Sequence, residues 1–490
     1  MIKFDGNIVQ FGFGAVGKSF YEKVKNELKF DENKYFVITK YIEEFDEYIN
    51  LDGIITNFIT KEITKDNFQI IFKKYLNNGD LLIDFADTIG TKDICDFCAK
   101  NNIMYINTAD ADWPENWINI FEQNKKVSEI IEKHRNNPLT NKHPIVLQHG
   151  NNPGLVSHFV KAGIEYIVNT QYKKNKHLKE LVKQNKFNIA AKELGIKMIH
   201  VNDIDLQKTN DKYNNDTLVS TWCVDSFLFE MLTDSTFNIG NHENIDSFDD
   251  YKVVDLENGF LEFKKVAAEK KCQTYYPNGP FDGFLVPHDE TVTIAKSLEV
   301  KENNKVIYRP SVMFLYSPCD LAKKYFADAK VNDDFAPNLT KPLDFVNVNE
   351  ETIIKGYKYP KYAKIVYKED IISGTEYVGV LLMGEKFNPV WVGNRIELSF
   401  LYKKPKGSYY QTPTITPVAI SALAAVCWMI KNKNQGGIYF PDDIDNYKYI
   451  LKFAEKYISK TIYKTINKNI LEKELNIDLS SLQAKDFFIN

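Results

Sequence analysis

Several stretches of this 490-residue chain place acid–base side chains where they could act together. Asp203 and Asp205 follow an apolar strand-like run. Thr221 to Glu230, TWCVDSFLFE, sets Trp222 and Glu230 about two helical turns apart in an otherwise apolar segment. Gly240-Asn241-His242-Glu243 and Pro287-His288-Asp289-Glu290 each put a histidine beside carboxylates, and Glu376 precedes a strand beginning at Tyr377. One carboxylate alone is ordinarily solvated. Gathered at apolar strand ends, this set makes a cavity of negative potential suited to a cationic ligand, because an ammonium leaves water only for paired carboxylates or carbonyls. A tryptophan face adds about 1–2 kcal/mol of cation–π attraction when desolvated. His288 with Glu290 also has the look of a metal pair, but no third and fourth ligand stand at typical spacing, so no metal is expected.

A second chemistry is written near the start. The strand-like Ile8-Val9-Gln10-Phe11 runs into Gly12-Phe13-Gly14-Ala15-Val16-Gly17, and a helical pattern follows from Lys18. This order suits a dinucleotide pyrophosphate: Gly12 for the tight turn, Gly14 for close approach, Gly17 for helix–strand packing, and the helix N-terminus for the anion. The second strand, Tyr35 to Thr39, ends in Thr39-Lys40-Tyr41 without the Asp or Glu that commonly holds a ribose, so these residues leave NAD and NADP both open.

The elements that must position these residues alternate. Strands are expected at Gly53–Thr56, Leu81–Phe85, Ile103–Asn107 and Pro144–Gln148, with helices Asp66–Asn77, Thr91–Asn101 and a polar, exposed helix Lys125–Asn136. That spacing predicts an α/β fold with a Rossmann-like parallel sheet, whose carboxyl edge would carry Asp84, Asn107, Thr108, Asp110 and Asp112. The loop His149-Gly150-Asn151-Asn152-Pro153-Gly154, before a helix carrying His158, has the composition and place of a site loop. Beyond it the pattern turns to β alternation, including Lys197–Val201, Tyr251–Leu256, Gly283–Val286, Thr291–Ile294, Val306–Tyr308 and Ser311–Tyr316. We expect residues 1–154 as a nucleotide domain, 155–412 as a mixed-sheet α+β substrate and dimerisation domain, and 413–490 as helices packing back on the first.

Composition narrows the class. The net charge of −4 gives no footprint for nucleic acid. The longest apolar run, Val418 to Ile430, is too short for a bilayer. No signal-peptide pattern opens the chain, and six cysteines form no disulfide framework, so a cytoplasmic protein is expected. Cys95 and Cys98 read as buried apolar residues.

Over essentially its whole length the sequence resembles bacterial-type homospermidine synthase, of the saccharopine-dehydrogenase-like group. The likeness runs through QFGFGAVGKS (Gln10–Ser19), HGNNPGLVSHFVKAGI (His149–Ile164), STWCVDSFLFEM (Ser220–Met231), GNHE (Gly240–Glu243), PHDET (Pro287–Thr291), YRPSVMFLYSPCD (Tyr308–Asp320), GVLLMG (Gly379–Gly384) and ALAAVCWMI (Ala422–Ile430). The resemblance implies NAD as a bound group recycled within one turnover. One putrescine is oxidised to an imine, a second amine displaces ammonia, and the Schiff base is reduced to homospermidine. It places the cation-binding tryptophan on Trp222, its partner glutamate on Glu230, a loop asparagine on Asn152 and a histidine–glutamate pair on His288 and Glu290. Asp84, Asp203 and Glu376 fall on acidic substrate positions, and a further one on Asp110 or Asp112. The cofactor would lie along Gly12 to Gly17, Thr108, Asn152 and Pro153. The implied partners are diamines, putrescine or spermidine, in a homodimer with no nucleic acid or membrane.

Two other readings stand beside it. A saccharopine- or carboxyspermidine-type dehydrogenase would want several arginines for substrate carboxylates, and the chain has Arg135, Arg309 and Arg395 alone. A non-catalytic polyamine- or nucleotide-sensing protein on the same fold is the third.

Overall fold

The computed structural model describes residues 1–43, 55–86, 89–113, 120–135, 142–209, 213, 217–331, 353–367, 370–401 and 410–489. Short runs buried on both faces, such as Ile8–Phe11 and Leu81–Asp84, form central strands of a parallel sheet, as both-sided burial requires. The sheet is seven-stranded. Its order is Asn57–Thr60, Tyr35–Thr39, Ile8–Phe11, Leu81–Asp84, Met104–Asn107, Pro144–Val146 and Gly437–Tyr439, each pair parallel. The strand order reverses between Ile8–Phe11 and Leu81–Asp84, the switch point where an open sheet of this kind leaves a crevice. Asn57–Thr60 stands as the third strand; of the stretch expected in that role, Gly53 and Ile54 lie outside the described residues.

One face of this sheet packs on helices Phe68–Tyr75, Thr91–Asn101 and Ile120–Arg135. The last of these was expected to be exposed, yet Gln123, Asn124, Val127, Ile130 and Ile131 are buried. The other face packs on Ala15–Glu27, which lies against Ile415–Lys431. Residues 415–430 of that helix are buried almost all round, apart from the partly buried Val418, as befits an internal helix. The chain beyond 412 also adds strand Gly437–Tyr439 to the parallel sheet and Ile462–Thr465 to the second sheet, which the expectation of helices alone did not contain.

The second sheet is mixed and ten-stranded. Ile196–Asp205 lies at its centre, parallel to Ser311–Ser317 and antiparallel to Thr375–Gly384. Period-two alternation sorts its residues. Ile199, Val201, Val312, Phe314, Val378 and Val380 face the core shared with the parallel-sheet half, where helix Leu155–Gln171 also packs. Met198, Ile204, Met313 and Leu381 face a separate core closed by the C-terminal Leu471 to Phe487. Asp203, Asp205 and Glu376 continue the first set, so the inward face is apolar along its middle and acidic at one end.

One expected strand is a helix. Thr291–Ile294 belongs to Asp289–Ser297, which has Asp289 and Glu290 in its first turn and Lys296 in its last. Those charges complement a helix dipole and outweigh the local β-branched pattern.

Candidate active site

The two sheets enclose a cavity of about 1080 Å³ that reaches from the glycine turn to the acidic end of the mixed sheet. Gly12 to Lys18, Thr39, Lys40, Thr108, Asn152 and Pro153 line one part; Asp203, Trp222, Glu230, His288, Phe314 and Glu376 line the other. Asp110 and Asp289 lie at its wall.

The glycine end has the shape of a pyrophosphate cradle. Gly12 has φ +86°, and a Cβ there would stand 2.9 Å from the Phe85 carbonyl carbon. A Cβ on Gly17 would stand 2.5 Å from the Gly12 oxygen. The buried Gln10 amide donates to the Gly12 and Gly17 carbonyls at 3.2 and 3.0 Å and accepts from Tyr35 Oη at 2.7 Å, which fixes the turn from beneath. Gly14 is the helix N-cap and no side chain caps the helix, so its first-turn N–H groups face the cavity.

Helix Val224–Leu232 carries Glu230, while Trp222 stands ahead of the cap residue Cys223, in the loop after strand Thr217–Ser220. The two are therefore not on one helix face, as their spacing had suggested. The loop is held by Trp222 N–H to Ser220 Oγ at 3.3 Å and by Thr221 Oγ1 donating to Asp205 Oδ2 at 2.7 Å.

His288 caps helix Asp289–Ser297 and stacks on Phe314, centroids 4.0 Å apart. Its Nδ1 is bonded to the fully buried Glu290, and its Nε2 lies 4.0 Å from Glu230 Oε1. Burial alone would lower the imidazole, but Glu290, then Glu230 and Asp289, raise it to about 9. Burial pushes Glu230 up to about 7, against the attraction of His288. At neutral pH His288 is thus an imidazolium and Glu230 is poised between its two forms.

Asn152 Nδ2 donates to Asp203 Oδ2 at 2.8 Å. Asp203 is two residues from Asp205, the register partner of Glu376. Burial, with the charges of Asp203 and Asp205, holds Glu376 well above the usual carboxylate range. Burial raises Asp203 to about 7, opposed by the Asn152 amide. The pair keeps a proton at neutral pH, and an ammonium brought to it would displace that proton.

Other residues singled out by sequence are placed elsewhere. Asp84 does not line the cavity; its carboxylate accepts from Ala86 N–H at 2.9 Å and Tyr105 Oη at 2.9 Å. Asp112 pairs with Lys126 at 3.0 Å. Glu243 accepts from Ser311 Oγ at 2.6 Å and the Ala484 N–H at 3.1 Å, so the GNHE motif anchors the C-terminal tail rather than joining the acidic set. His149 and His158 face each other at 3.0 Å, both buried, and burial holds both rings neutral, His149 at about 4. Among the described residues no group of three or more His, Cys, Asp or Glu is arranged to hold a metal ion, and no helix is long and apolar enough to cross a membrane. Asn124, Gln148 and Asp289 were not read from sequence as site residues. The one signal for Asp289 was its place between His288 and Glu290.

Residues 8–142 match the family model described as saccharopine dehydrogenase NADP binding domain. The chain is 25% identical to the homospermidine synthase of Mesorhizobium japonicum, over 91% of this chain and 87% of that protein. It is also 25% identical to that of Blastochloris viridis, over 90% and 88%. The chain resembles homospermidine synthases along nearly its whole length. A crystal structure of the homospermidine synthase from Legionella pneumophila in complex with NAD superposes with a TM-score of 0.81 at 24% identity, covering 100% of this chain and 99% of that one, so the fold is shared.

Proposed function

We propose that this chain is an NAD-dependent homospermidine synthase, converting two putrescines to homospermidine and ammonia. The observation that carries the reading is one continuous cavity joining the glycine cradle to Trp222, Glu230, His288 and the Asp203–Glu376 pair. The similarity to curated homospermidine synthases supports it independently.

The residues present suit the dinucleotide: the cradle leaves no room for Cβ atoms at Gly12 and Gly17 and offers open N–H groups for the pyrophosphate. When bound, it supplies the reversible two-electron oxidation of an amine-bearing carbon to an imine. The chain's own residues manage charge and protons. Asp203, Glu376 and Asn152 hold one end of the diamine as an ammonium. Trp222 lays an aromatic face beside the other. That nitrogen must be neutral to be oxidised. His288 is already protonated, so Glu230 takes its proton. The imine carbon is then attacked by the amine of a second putrescine, ammonia leaves, and the secondary imine is reduced. The imidazolium of His288, held by Glu290, keeps positive charge beside Glu230 and favours its anion. The reading includes a cytoplasmic homodimer, with residues 1–154 as the nucleotide half, 155–412 as the diamine half and 413–490 returning to the first.

The saccharopine-type alternative wants arginines at the cavity, and neither Arg309 nor Arg395 stands there. Arg309 pairs with Glu299 at 2.9 Å and with backbone carbonyls, and Arg395 pairs with Glu397 at 3.1 Å. Incubation of the purified protein with putrescine and NAD should give homospermidine and ammonia in equal amounts without net NADH. NADH accumulating without homospermidine would indicate an amine dehydrogenase. Binding of both ligands without turnover would indicate a sensor.

A further inference from the structure

Asp289 joins His288 to the parallel-sheet half through a closed ring of buried polar groups. Its Oδ2 accepts from the Asp110 N–H at 3.1 Å and its Oδ1 from Asn124 Nδ2 at 2.9 Å. Gln148 Nε2 donates both to Asn124 Oδ1 at 2.9 Å and to Asp110 Oδ2 at 2.6 Å. Asn107, at the end of its strand, accepts from the Gln148 N–H at 2.7 Å. All five residues are buried. Desolvated carboxyl groups bound by amides are costly to keep, and a half-broken ring of this kind costs more than none.

The ring spans an interface. Asn107 ends a strand of the parallel sheet, Asp110 and Gln148 lie in the loops just beyond two of its strands, and Asn124 is in helix Ile120–Arg135, whereas Asp289 opens the helix capped by His288. We infer that Asp289 is a positioning residue for His288: bonded to Asp110 and Asn124, it fixes the first turn of that helix and so the direction of the imidazole toward Glu230. Phe314 sets the plane of the ring and Glu290 its Nδ1, while the Asp289 ring of bonds sets where the backbone of His288 stands relative to the nucleotide half. The carboxylate of Asp289 also adds to the charges that keep His288 protonated.

This inference rests on the proposed reaction only in its kinetic arm. Asn124 does not line the cavity, so Asn124→Leu removes the donor to Asp289 without touching a ligand. Asp289→Asn keeps the shape and removes the charge. Both variants should retain NAD as the wild type does. Each should lower kcat for homospermidine by tenfold or more, with KM for putrescine within about twofold. In ¹⁵N-histidine NMR, with His288→Gln for assignment, the His288 resonances should move in both variants, and the titration midpoint should fall in Asp289→Asn. If Asn124→Leu fails to fold, Asp289→Asn decides alone. Wild-type kcat and unchanged His288 resonances in a folded variant would overturn the inference. A wild type that makes no homospermidine refutes the proposed reaction instead, and the NMR arm still decides the role of Asp289.

Discussion

Asn152 Nδ2 donates to Asp203 Oδ2 at 2.8 Å, tying the loop after the sixth strand of the parallel sheet to the central strand of the mixed sheet. The nucleotide edge and the acidic end are therefore positioned against each other by a bond inside the cavity. A hydrogen bond to a charged group is worth about 1.5–3 kcal/mol. Asn152→Ala should raise KM for putrescine by roughly tenfold or more, read from steady-state rates. A KM within twofold of wild type would separate Asn152 from amine handling.

Gly14→Val places a branched side chain at the N-cap that lines the cavity. The protein should fold, with a thermal midpoint near that of the wild type, and purify without dinucleotide. Retained NAD in the folded variant would remove the glycine turn from the cofactor site.

Trp222 is in a loop, half-buried, with its ring 6.3 Å from that of Phe227. Activity should fall in the order wild type, Trp222→Phe, Trp222→Ala, because Phe keeps part of the cation–π attraction and Ala none. The Phe variant should melt near the wild-type temperature. Equal activity of Phe and Trp, or losses that only track stability, would make Trp222 a packing residue.

Asp203 titrates at about 7 when folded, above the ordinary carboxylate value, with burial the main cause. Folding therefore takes up a proton. The stability this group contributes is fully present below about pH 4 and is lost as pH rises through about 7. Asp203→Asn removes that loss while keeping an oxygen for Asn152. Its melting temperature should gain on the wild type between pH 4 and 7 and hold a constant lead above, while its activity falls. Parallel melting curves across that range would mean that Asp203 is not held in its neutral form.

Local pattern determined much of this protein. The glycine turn declared itself because a tight turn, a close approach and a helix start each restrict residue type at a fixed spacing, and the alternation of strand and helix in the first part dictated a parallel sheet. The acidic residues were visible as residues, but which of them meet was not. Asp203 and Glu376 are brought together diagonally across two neighbouring strands, two residues out of register, and Trp222 and Glu230 by a loop and a helix rather than by one helix face. Asp84 and Glu243, equally conspicuous in the sequence, do not line the cavity; Asp84 turns to Tyr105 and the Ala86 N–H, and Glu243 to Ser311 and the Ala484 N–H. The ring of Asn107, Asp110, Asn124, Gln148 and Asp289 is assembled from four separate segments, so no local spacing announces it. A side chain's type is fixed by the sequence. Its partners, and through burial its protonation, depend on which distant strands and helices the packing of the two sheets brings beside it.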